Sequence, residues 1–399
     1  MTGDSEDKNL ERVDIVIEQS EAFLSSSVEW LLNSGIRIKD GNDNGALYGW
    51  KCLIPPSYPF VYSEITGYAI SCFLWIHSEL GKVEALQAAT EAAQWIMRNM
   101  NSEFLLVAGY RYLNSFVEKG DLSNQFYLFD NGMAMIGLLN LYKHTKEINL
   151  LTLACNMADS MIKYFFKGSN ISLALVDKLY KPLEMGENKW STIPGAYHSK
   201  LSLAFLELSK LTGNTNYARV ANSICNFAVS LQKSDGRFKT GSSSEITYLH
   251  PHLYACEGLI YSGVFQSNEK YLNSGLRGIV WAAQQLNDKG GLPRDNSEQC
   301  VEQSDAMCQL LRLLILCHSD LLELLDQSSL TNMIDRLHDR VLDFCLTSSD
   351  DNRGGIKYHL KLESACSWCT MFCIQALRLW QKRTNGQLKN DVRWIDYFV

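Results

Sequence analysis

Two kinds of apolar segment alternate six times along this 399-residue chain, and this alternation constrains the fold more than any other feature. Segments of the first kind have an amphipathic helical pattern and run into a polar turn; they lie near residues 30, 95, 164, 230, 285 and 345. Segments of the second kind open on polar residues and then become apolar on nearly all sides; they begin near residues 63, 129, 196, 250, 303 and 363. An amphipathic helix suits an outer layer, and a helix that is hydrophobic all round is expected to be buried.

The connections between these segments differ in length according to their direction. Passing from a second-kind segment to the next first-kind segment takes only a few residues, as at residues 81–84 and 212–216, so these neighbours should be antiparallel. The connection from a first-kind segment to the next second-kind segment takes roughly 15 to 30 residues. Such long loops in a compact domain are usually functional. We therefore predict an all-α (α/α)₆ barrel, a toroid of six helical hairpins with long loops and short β segments on one face. We assign residues 16–399 to this single domain and residues 1–15 to a flexible N-terminal segment.

Glycines within the second-kind segments indicate a crowded centre. Each costs about 1 kcal/mol relative to alanine in a helix, and close approach of neighbouring helices would offset that cost. The glycines concerned are Gly67, Gly132, Gly137, Gly258 and Gly263. The alternative is ordinary scatter among the 26 glycines of the chain.

Charge and composition exclude several classes of function. The net charge of -7 provides no basic surface for nucleic acid and disfavours anionic membranes. The N-terminal residues are polar and acidic, so we expect no secretory signal, and no apolar stretch approaches the roughly 20 residues of a membrane span. The twelve cysteines sit mostly singly in apolar helical patterns, which indicates buried free thiols in a reducing compartment. We predict a cytoplasmic protein without nucleic-acid or membrane partners, and the oligomeric state stays open.

Six short polar groups occupy equivalent places at the heads of the second-kind helices. They are Tyr62-Ser63-Glu64, Phe129-Asp130-Asn131, Tyr197-His198, His250-Pro251-His252, Gln303-Ser304-Asp305 and Glu363-Ser364. Helix capping is one explanation, since Ser, Asp and Asn satisfy the free N–H groups of a first turn. The long loops converge on the same helix ends, so these residues should also face the central pit of the barrel.

Carboxylates in this set suggest acid/base chemistry. Glu64 is a weak cap within an apolar helix, and a buried carboxylate needs a partner or a raised pKa. Hydrolysis of a glycosidic bond commonly uses two carboxylates, and the candidates are Glu64, Asp130, Asp305 and Glu257. His198, His250 and His252 lie at the same helix ends, where an imidazole acts as acid or base near neutral pH. We predict catalytic roles for Glu64, Asp130, His198, His252 and Asp305.

The remaining candidates would bind substrate. Arg294 and Arg353 lie in Gly-containing turns and suit a uronate carboxylate or a phosphate, although a solvated loop charge is the alternative. Aromatic residues in the long loops and helix heads suit sugar faces, with core packing as the alternative; they include Trp50, Tyr58, Tyr62, Tyr68, Trp190, Tyr197, Tyr248 and Trp368. The predicted substrate-binding residues are Tyr62, Tyr68, Asn131, Tyr197, His250, Glu257, Arg294, Arg353 and Trp368. No helix carries a His-x-x-x-His spacing, so we predict neither a metal site nor a cofactor.

YSEITGY (62–68) and FDNGMAMIGLLNLYK (129–143) resemble motifs of the six-hairpin glycosidase superfamily, and SLQKSDGRF (230–238) is similar to a turn that ends its outer helices. More narrowly, the chain resembles bacterial proteins of polysaccharide gene clusters with a Tyr-Pro-Glu-x-Thr-Gly-Tyr helix head. The resemblance implies an oligosaccharide or uronate-containing glycan as substrate, and it marks Glu64, Tyr68, Asp130 and Asn131. Ser63 replaces the proline of the first motif, and Asp130-Asn131 replaces Asn-Thr, which leaves a separate subfamily open. Unsaturated glucuronyl hydrolases of this fold use an aspartate at a helix head, a role that Asp130 would match.

Several functions remain compatible with these residues. A glycoside hydrolase is favoured, followed by a uronate lyase or C5-epimerase. The alternative is a barrel that binds a glycan, or serves as a scaffold, without catalysis. A toroid resembling lanthionine or terpenoid cyclases is a further alternative suggested by Cys256-Glu257-Gly258 and Trp368-Cys369, but the Cys-His-Gly and Asp-rich motifs of those enzymes are absent.

Overall fold

The computed structural model describes residues 3–110, 122–183, 190–240, 245–297, 301–348 and 351–388. Twelve long helices in this part of the chain alternate between an outer and an inner ring. The outer helices are α1 (Gly3–Asn33), α3 (Val83–Asn99), α5 (Ile148–Phe165), α7 (Thr215–Ser230), α9 (Glu269–Ala283) and α12 (Gln327–Leu342). The inner helices are α2 (Ser63–Leu80), α4 (Leu128–Thr145), α6 (Ser202–Thr212), α8 (Leu249–Gln266), α10 (Ser304–Leu316) and α13 (Ser367–Thr384). A short helix, α11 (His318–Leu321), lies between α10 and α12.

The inner helices form a closed ring. Each packs against the next in the order α2, α4, α6, α8, α10, α13, and α13 returns to α2. The outer helices bury one apolar side against this ring; in α3, for example, Ala85, Ala88, Ala92 and Ile96 are buried at helical spacing. The repeated pattern therefore builds the predicted six-hairpin barrel.

Two of the glycines allow inner elements to meet backbone to backbone. A Cβ at Gly67 in α2 would lie 2.7 Å from the backbone of Ala134 in α4. A Cβ at Gly258 in α8 would lie 2.2 Å from the backbone of Ser199. Both approaches are too close for any side chain, which agrees with the predicted crowding at the centre of the ring.

The short strands lie in the long connections on one face. They are β1 (Trp50–Leu53), β2 (Pro56–Ser57), β3 (Val61–Tyr62), β4 (Gly109–Tyr110), β5 (Gln125–Tyr127), β6 (Phe166–Lys167), β7 (Asn170–Ile171), β8 (Leu175–Asp177), β9 (Ile356–Lys357) and β10 (Ser364–Cys366). A four-stranded antiparallel sheet in the order β2-β1-β10-β9 joins the first long connection to the last, with Trp50 opposite Cys366. This pairing links the first and the last hairpins of the ring on the face that carries the long loops.

The boundaries of two inner helices differ from the sequence prediction. Ser364 lies in β10 and α13 begins three residues later, because residues 364–366 pair with β1 as extended chain. The third inner segment opens with a 3₁₀ helix over Ala196–Leu201 before α6 begins. At the N-terminus, α1 begins at Gly3, within the segment predicted to be flexible, and the domain boundaries stay a prediction.

Two further observations concern the class of protein. No helix among the described residues has the length and hydropathy needed to cross a membrane. The eleven cysteines within the described ranges are all free thiols.

Candidate active site

A cavity of about 260 Å³ opens at the heads of the inner helices, on the face of the long loops. Five inner helices and their flanking loops contribute to it. Its lining consists of Trp50, Phe60, Tyr62, Glu64, Ile65, Ala108, Tyr127, Phe129, Asp130, Trp190, Ser191, His250, Tyr254, Asp305, Tyr358 and Trp368. The cavity therefore lies where the difference in loop length predicts the pit.

Glu64 and Asp130 occupy the first turns of the neighbouring helices α2 and α4. The close approach at Gly67 brings these helix heads together. Asp130 is 5% exposed. Glu64 is only partly buried, and Tyr68 follows it by four residues on the same helix. Burial raises the pKa of Glu64, and the interaction with the Tyr62 side chain partly offsets that rise.

Asp305 and His250 form a second polar group across the cavity. His250 Nδ1 lies 2.6 Å from Gln309 Oε1 and 3.5 Å from Asp305 Oδ2. Trp368 donates from Nε1 to the same oxygen of Asp305 at 3.3 Å, while Asp305 Oδ1 accepts from the backbone N–H of Ala306 at 2.7 Å. Trp368 and the backbone N–H of Ala306 thus hold the Asp305 carboxylate, and the side chains of Gln309 and Asp305 orient the imidazole of His250.

Aromatic rings line two sides of the cavity. On one side the Trp50 ring packs edge-on against Phe60 and Trp368, with ring centroids 4.9 and 6.1 Å apart. The ring centroids of Tyr358 and Trp368 are 5.7 Å apart. On the other side Trp190 lies 6.2 Å from His250. Walls of this kind offer apolar faces to a ring-shaped ligand.

The serines at two helix heads bind the loops instead of capping the helices. Ser63 Oγ donates to the carbonyl of Val107 at 2.6 Å, and Ser304 Oγ donates to the carbonyl of Lys357 at 2.7 Å. Both hydroxyls therefore tie a long connection to the cavity rim.

A buried charge cluster lies below the cavity. Glu257 accepts from Lys200 Nζ at 2.8 Å and from Arg312 Nη2 at 2.9 Å, and all three side chains are fully buried. The Lys200 ammonium lies 4.5 Å from the centroid of the Tyr254 ring. Burial lowers the pKa of Lys200 to about 8, because the charged form loses its hydration.

Two predicted catalytic histidines do not line the cavity. His198 Nδ1 accepts from the backbone N–H of Gly195 at 3.2 Å, and burial lowers its pKa to about 3. His252 Nδ1 accepts from the N–H of Phe238 at 3.1 Å, its Nε2 lies 2.9 Å from Gly278 O, and burial lowers its pKa to about 4. Both imidazoles bond to backbone groups, and the catalytic assignment of His198 and His252 stays a prediction.

Three predicted substrate-binding residues also make internal bonds outside the lining. Asn131 bonds to the backbone N–H and carbonyl of Leu106. The Tyr197 hydroxyl donates to the carbonyl of Ile193 at 3.0 Å, and Tyr68 lies beneath the cavity against Tyr254. Asn131 and Tyr197 also donate to the carbonyls of the lining residues Tyr127 and Ser191, at 2.9 and 3.3 Å, so all three support a cavity-lining neighbour instead of forming the wall.

The two predicted arginines lie elsewhere on the loop face. Arg294 Nε donates to Asp295 Oδ2 at 2.9 Å, and its guanidinium lies 5.8 Å from the centroid of the Tyr248 ring. Arg353 is exposed and borders a separate groove along α1 beside Trp30. Neither arginine belongs to the cavity lining.

Tyr254 and Lys200 are among the residues of this region that sequence reasoning left out. Tyr254 follows His250 by four residues, so the helical period alone places it below that histidine. Lys200 is an ionisable residue in an otherwise apolar helix, the signal that identified Glu64 and Glu257. Trp50 and Trp190, predicted only as members of a loop aromatic set, both line the cavity.

Within the described ranges, no group of three or more His, Cys, Asp or Glu side chains is arranged to hold a metal ion. The expectation of no metal and no cofactor stays a prediction.

Several known proteins share this architecture. A cellobiose 2-epimerase from Bacillus thermoamylovorans superposes with a TM-score of 0.73 at 12% identity, over 93% of this chain and 99% of that chain. An unsaturated glucuronyl hydrolase specific for heparin gives 0.68 at 10% identity, over 94% and 99% of the two chains. A D-mannose isomerase gives 0.69 at 10% identity, over 90% and 97%. These similarities confirm the (α/α)₆ barrel.

Sequence comparison adds one partial match. The family model described as Glycosyl hydrolase family 47 matches residues 94–249, less than half of the chain. Among curated proteins no sequence matches significantly.

Proposed function

We propose that this chain, whose barrel is that of the six-hairpin glycosidase superfamily, is a carbohydrate-active enzyme that cleaves a glycosidic bond in the cavity at the helix heads. The observation that carries the proposal is the pair of carboxylates, Glu64 and Asp130, on adjacent helices in a cavity with aromatic walls. Glycosidic hydrolysis requires one carboxyl group that is protonated and a second that is ionised.

Glu64 is suited to be the general acid. Its raised pKa keeps the proton on the carboxyl at higher pH than an exposed glutamate would, so the proton is available for the leaving oxygen. Asp130 would then act as the base or the nucleophile. The aromatic walls would stack on the sugar rings, and His250 with Asp305 would bind hydroxyl groups.

The lining favours a neutral sugar over a uronate. Among the described residues that form it, none is a lysine or an arginine, while Glu64, Asp130 and Asp305 are acidic. A uronate carboxylate would meet repulsion from these groups, and the arginines predicted to bind it lie elsewhere. The uronate lyase and C5-epimerase alternatives therefore have less support than hydrolysis of a neutral oligosaccharide.

The test is turnover by matched variants. Purified protein is incubated with a panel of neutral and uronate-containing oligosaccharides, and released reducing ends are measured. We expect Glu64→Gln and Asp130→Asn each to lower kcat/KM by about 100-fold or more, without a change in Tm. Glu363→Gln is the control, because Glu363 lies on the same face with an exposed side chain that bonds to Lys357. Turnover that both variants retain would reject the assignment, and sugar binding without turnover would favour a binding barrel.

Sugar isomerisation or epimerisation is the second candidate, and the contact of His250 with Asp305 favours it. An imidazole oriented by a carboxylate can remove a proton next to a carbonyl carbon. NMR of candidate free sugars and disaccharides in D₂O separates the two reactions. Deuterium incorporation at a ring-opened carbon, lost in His250→Gln, would support proton abstraction, and release of a new reducing end would support hydrolysis.

A further inference from the structure

Two oxygen atoms of α10 face one nitrogen of the His250 imidazole, which reaches the cavity wall from the head of α8. Gln309 Oε1 lies 2.6 Å from His250 Nδ1, and Asp305 Oδ2 lies 3.5 Å from it. Asp305 and Gln309 are four residues apart on one helix, so both side chains approach the ring from the same side. An amide oxygen and an ionised carboxylate accept hydrogen bonds and donate none. The hydrogen of the neutral imidazole therefore belongs on Nδ1.

The Gln309 side chain is committed to this contact. It is fully buried, and its Nε2 has no hydrogen-bond partner among the described residues, so the bond to His250 is the one that orients the amide. A reversed amide would place an N–H against Nδ1 and leave the lone pair of that nitrogen facing the Asp305 carboxylate, which repels it. The arrangement with Oε1 toward the imidazole is therefore the favourable one.

Aromatic side chains limit the rotation of the His250 ring. Its centroid lies 4.4 Å from that of Tyr254 and 6.2 Å from those of Phe372 and Trp190. Turning the ring over would replace Nδ1 by a carbon atom and break the bond to Gln309. The His250 side chain is 15% exposed and lines the cavity, and no described residue forms a hydrogen bond with its Nε2. Nε2 is therefore the ring nitrogen left for a ligand.

We propose that Gln309 is a positioning residue that holds the hydrogen of His250 on Nδ1, so that Nε2 presents a lone pair to the cavity and accepts a hydrogen bond from a substrate hydroxyl. This inference rests on the proposed binding of a sugar in the cavity. A lone pair at this point disfavours a group that only accepts, such as a uronate carboxylate, and favours a neutral hydroxyl. In the isomerisation alternative, the same lone pair takes the proton from carbon.

NMR of the full-length protein reads the tautomer directly, without substrate. The protein is labelled with ¹⁵N-histidine, and the correlations between the ring nitrogens and the carbon-bound ring hydrogens are recorded. The His250 signals are identified by their loss in His250→Gln, and the pH is raised until they stop moving, so that the neutral imidazole is observed. We expect a protonated Nδ1 and an unprotonated Nε2. A hydrogen on Nε2 would overturn the inference.

Gln309→Met separates the effect of Gln309 from that of Asp305, because it removes the amide oxygen and leaves the carboxylate in place. We expect signals of the second tautomer to appear, and kcat/KM on the substrate found above to fall by about 10-fold, the effect of one lost hydrogen bond to the substrate. If the hydrogen stayed wholly on Nδ1, Asp305 would be the positioning group and the inference would be wrong. Gln309→Asn, whose shorter side chain withdraws the oxygen from the ring, gives the same test if the methionine variant does not fold.

Gln381→Met is the matched control. Gln381 is also a buried glutamine of an inner helix, but it lies near the C-terminal end of α13 and donates from Nε2 to Ser20 Oγ at 3.3 Å. Its replacement should leave the His250 tautomer and kcat/KM unchanged, and an effect equal to that of Gln309→Met would reject the positioning role. A hydrogen fixed on Nδ1 by Gln309 in a protein that turns over no sugar would support that role and reject the proposed function, and turnover with the hydrogen on Nε2 would do the reverse.

Discussion

Replacing Glu257 with glutamine tests the charge arrangement below the cavity. Glu257 lies between Lys200 and Arg312 at 2.8 and 2.9 Å, and none of the three side chains reaches solvent. The glutamine side chain keeps the volume and removes the only negative charge of this triad. Two buried cations would then lie close together with no carboxylate between them.

The size of the effect follows from this burial. Removing one partner of a buried ion pair costs about 3–5 kcal/mol, because the remaining charge is left without hydration. The amide oxygen of glutamine still accepts one bond, which contributes about 1 kcal/mol. We therefore expect Glu257→Gln to lower the free energy of unfolding by about 3 kcal/mol at neutral pH.

The loss should depend on pH in a defined direction. Burial lowers the pKa of Lys200 to about 8 in the folded protein, below the value of about 10.4 expected for the unfolded chain. Between these values the unfolded state binds more protons, so the stability of the unmodified protein rises as pH increases from about 8 to about 10. Glu257 raises the pKa of Lys200, so without it the same rise should begin at lower pH.

Urea unfolding followed by tryptophan fluorescence and circular dichroism measures both effects. Glu207→Gln is the control, because Glu207 is also buried but has its cation, Lys143, at 3.8 Å and a bond from the Tyr261 hydroxyl. We expect that variant to lose about 1 kcal/mol. Adding Lys200→Met to Glu257→Gln should restore a large part of the lost stability. If Glu257→Gln lost no more than Glu207→Gln, the triad would not be the charge centre described here.

Two further predictions concern packing and titration. Gly67→Ala should lower the free energy of unfolding by about 1–3 kcal/mol although alanine is the better helix former, because the new Cβ would lie 2.7 Å from the Ala134 backbone; a Tm that stays constant or rises would contradict the contact between α2 and α4. The pKa of His252 is lowered to about 4, so the unfolded chain binds its proton at higher pH and stability should fall as pH decreases from about 6.5 to about 4. In His252→Gln, unfolding should take up one proton fewer, so the free energy of unfolding should fall less between pH 7 and pH 5. An unchanged difference would show that His252 is not the buried neutral imidazole described here.

The barrel itself could be predicted because its signal is repeated. Six alternations of amphipathic and apolar helices, with short links in one direction and long links in the other, leave few arrangements that bury every apolar face. The boundary of α13 was missed because the pairing of residues 364–366 with β1 depends on a strand more than 300 residues away. No local pattern contains that information.

The candidate site was predicted in part for the same reason. Glu64, Asp130, His250 and Asp305 all lie at helix heads on the loop face, and the structure brings these four to one cavity. His252 lies in the same head as His250 but two residues later, which rotates it about 200° around the helix toward α9. Position along the helix was evident from the sequence, but the direction in which each side chain points was not.

The sequence by itself determined the ring of hairpins, the face that carries the long loops and the set of polar residues at the helix heads. These features depend on local periodicity and on connection length, which the chain carries in every repeat. Tertiary structure alone decided that Glu257 joins Lys200 and Arg312 in a buried cluster, that Tyr68 reaches Tyr254, and that Arg294 and Arg353 lie outside the cavity. Those contacts join residues on different hairpins, so they follow from how the closed ring brings the hairpins together and from the side chains that its crowded centre admits.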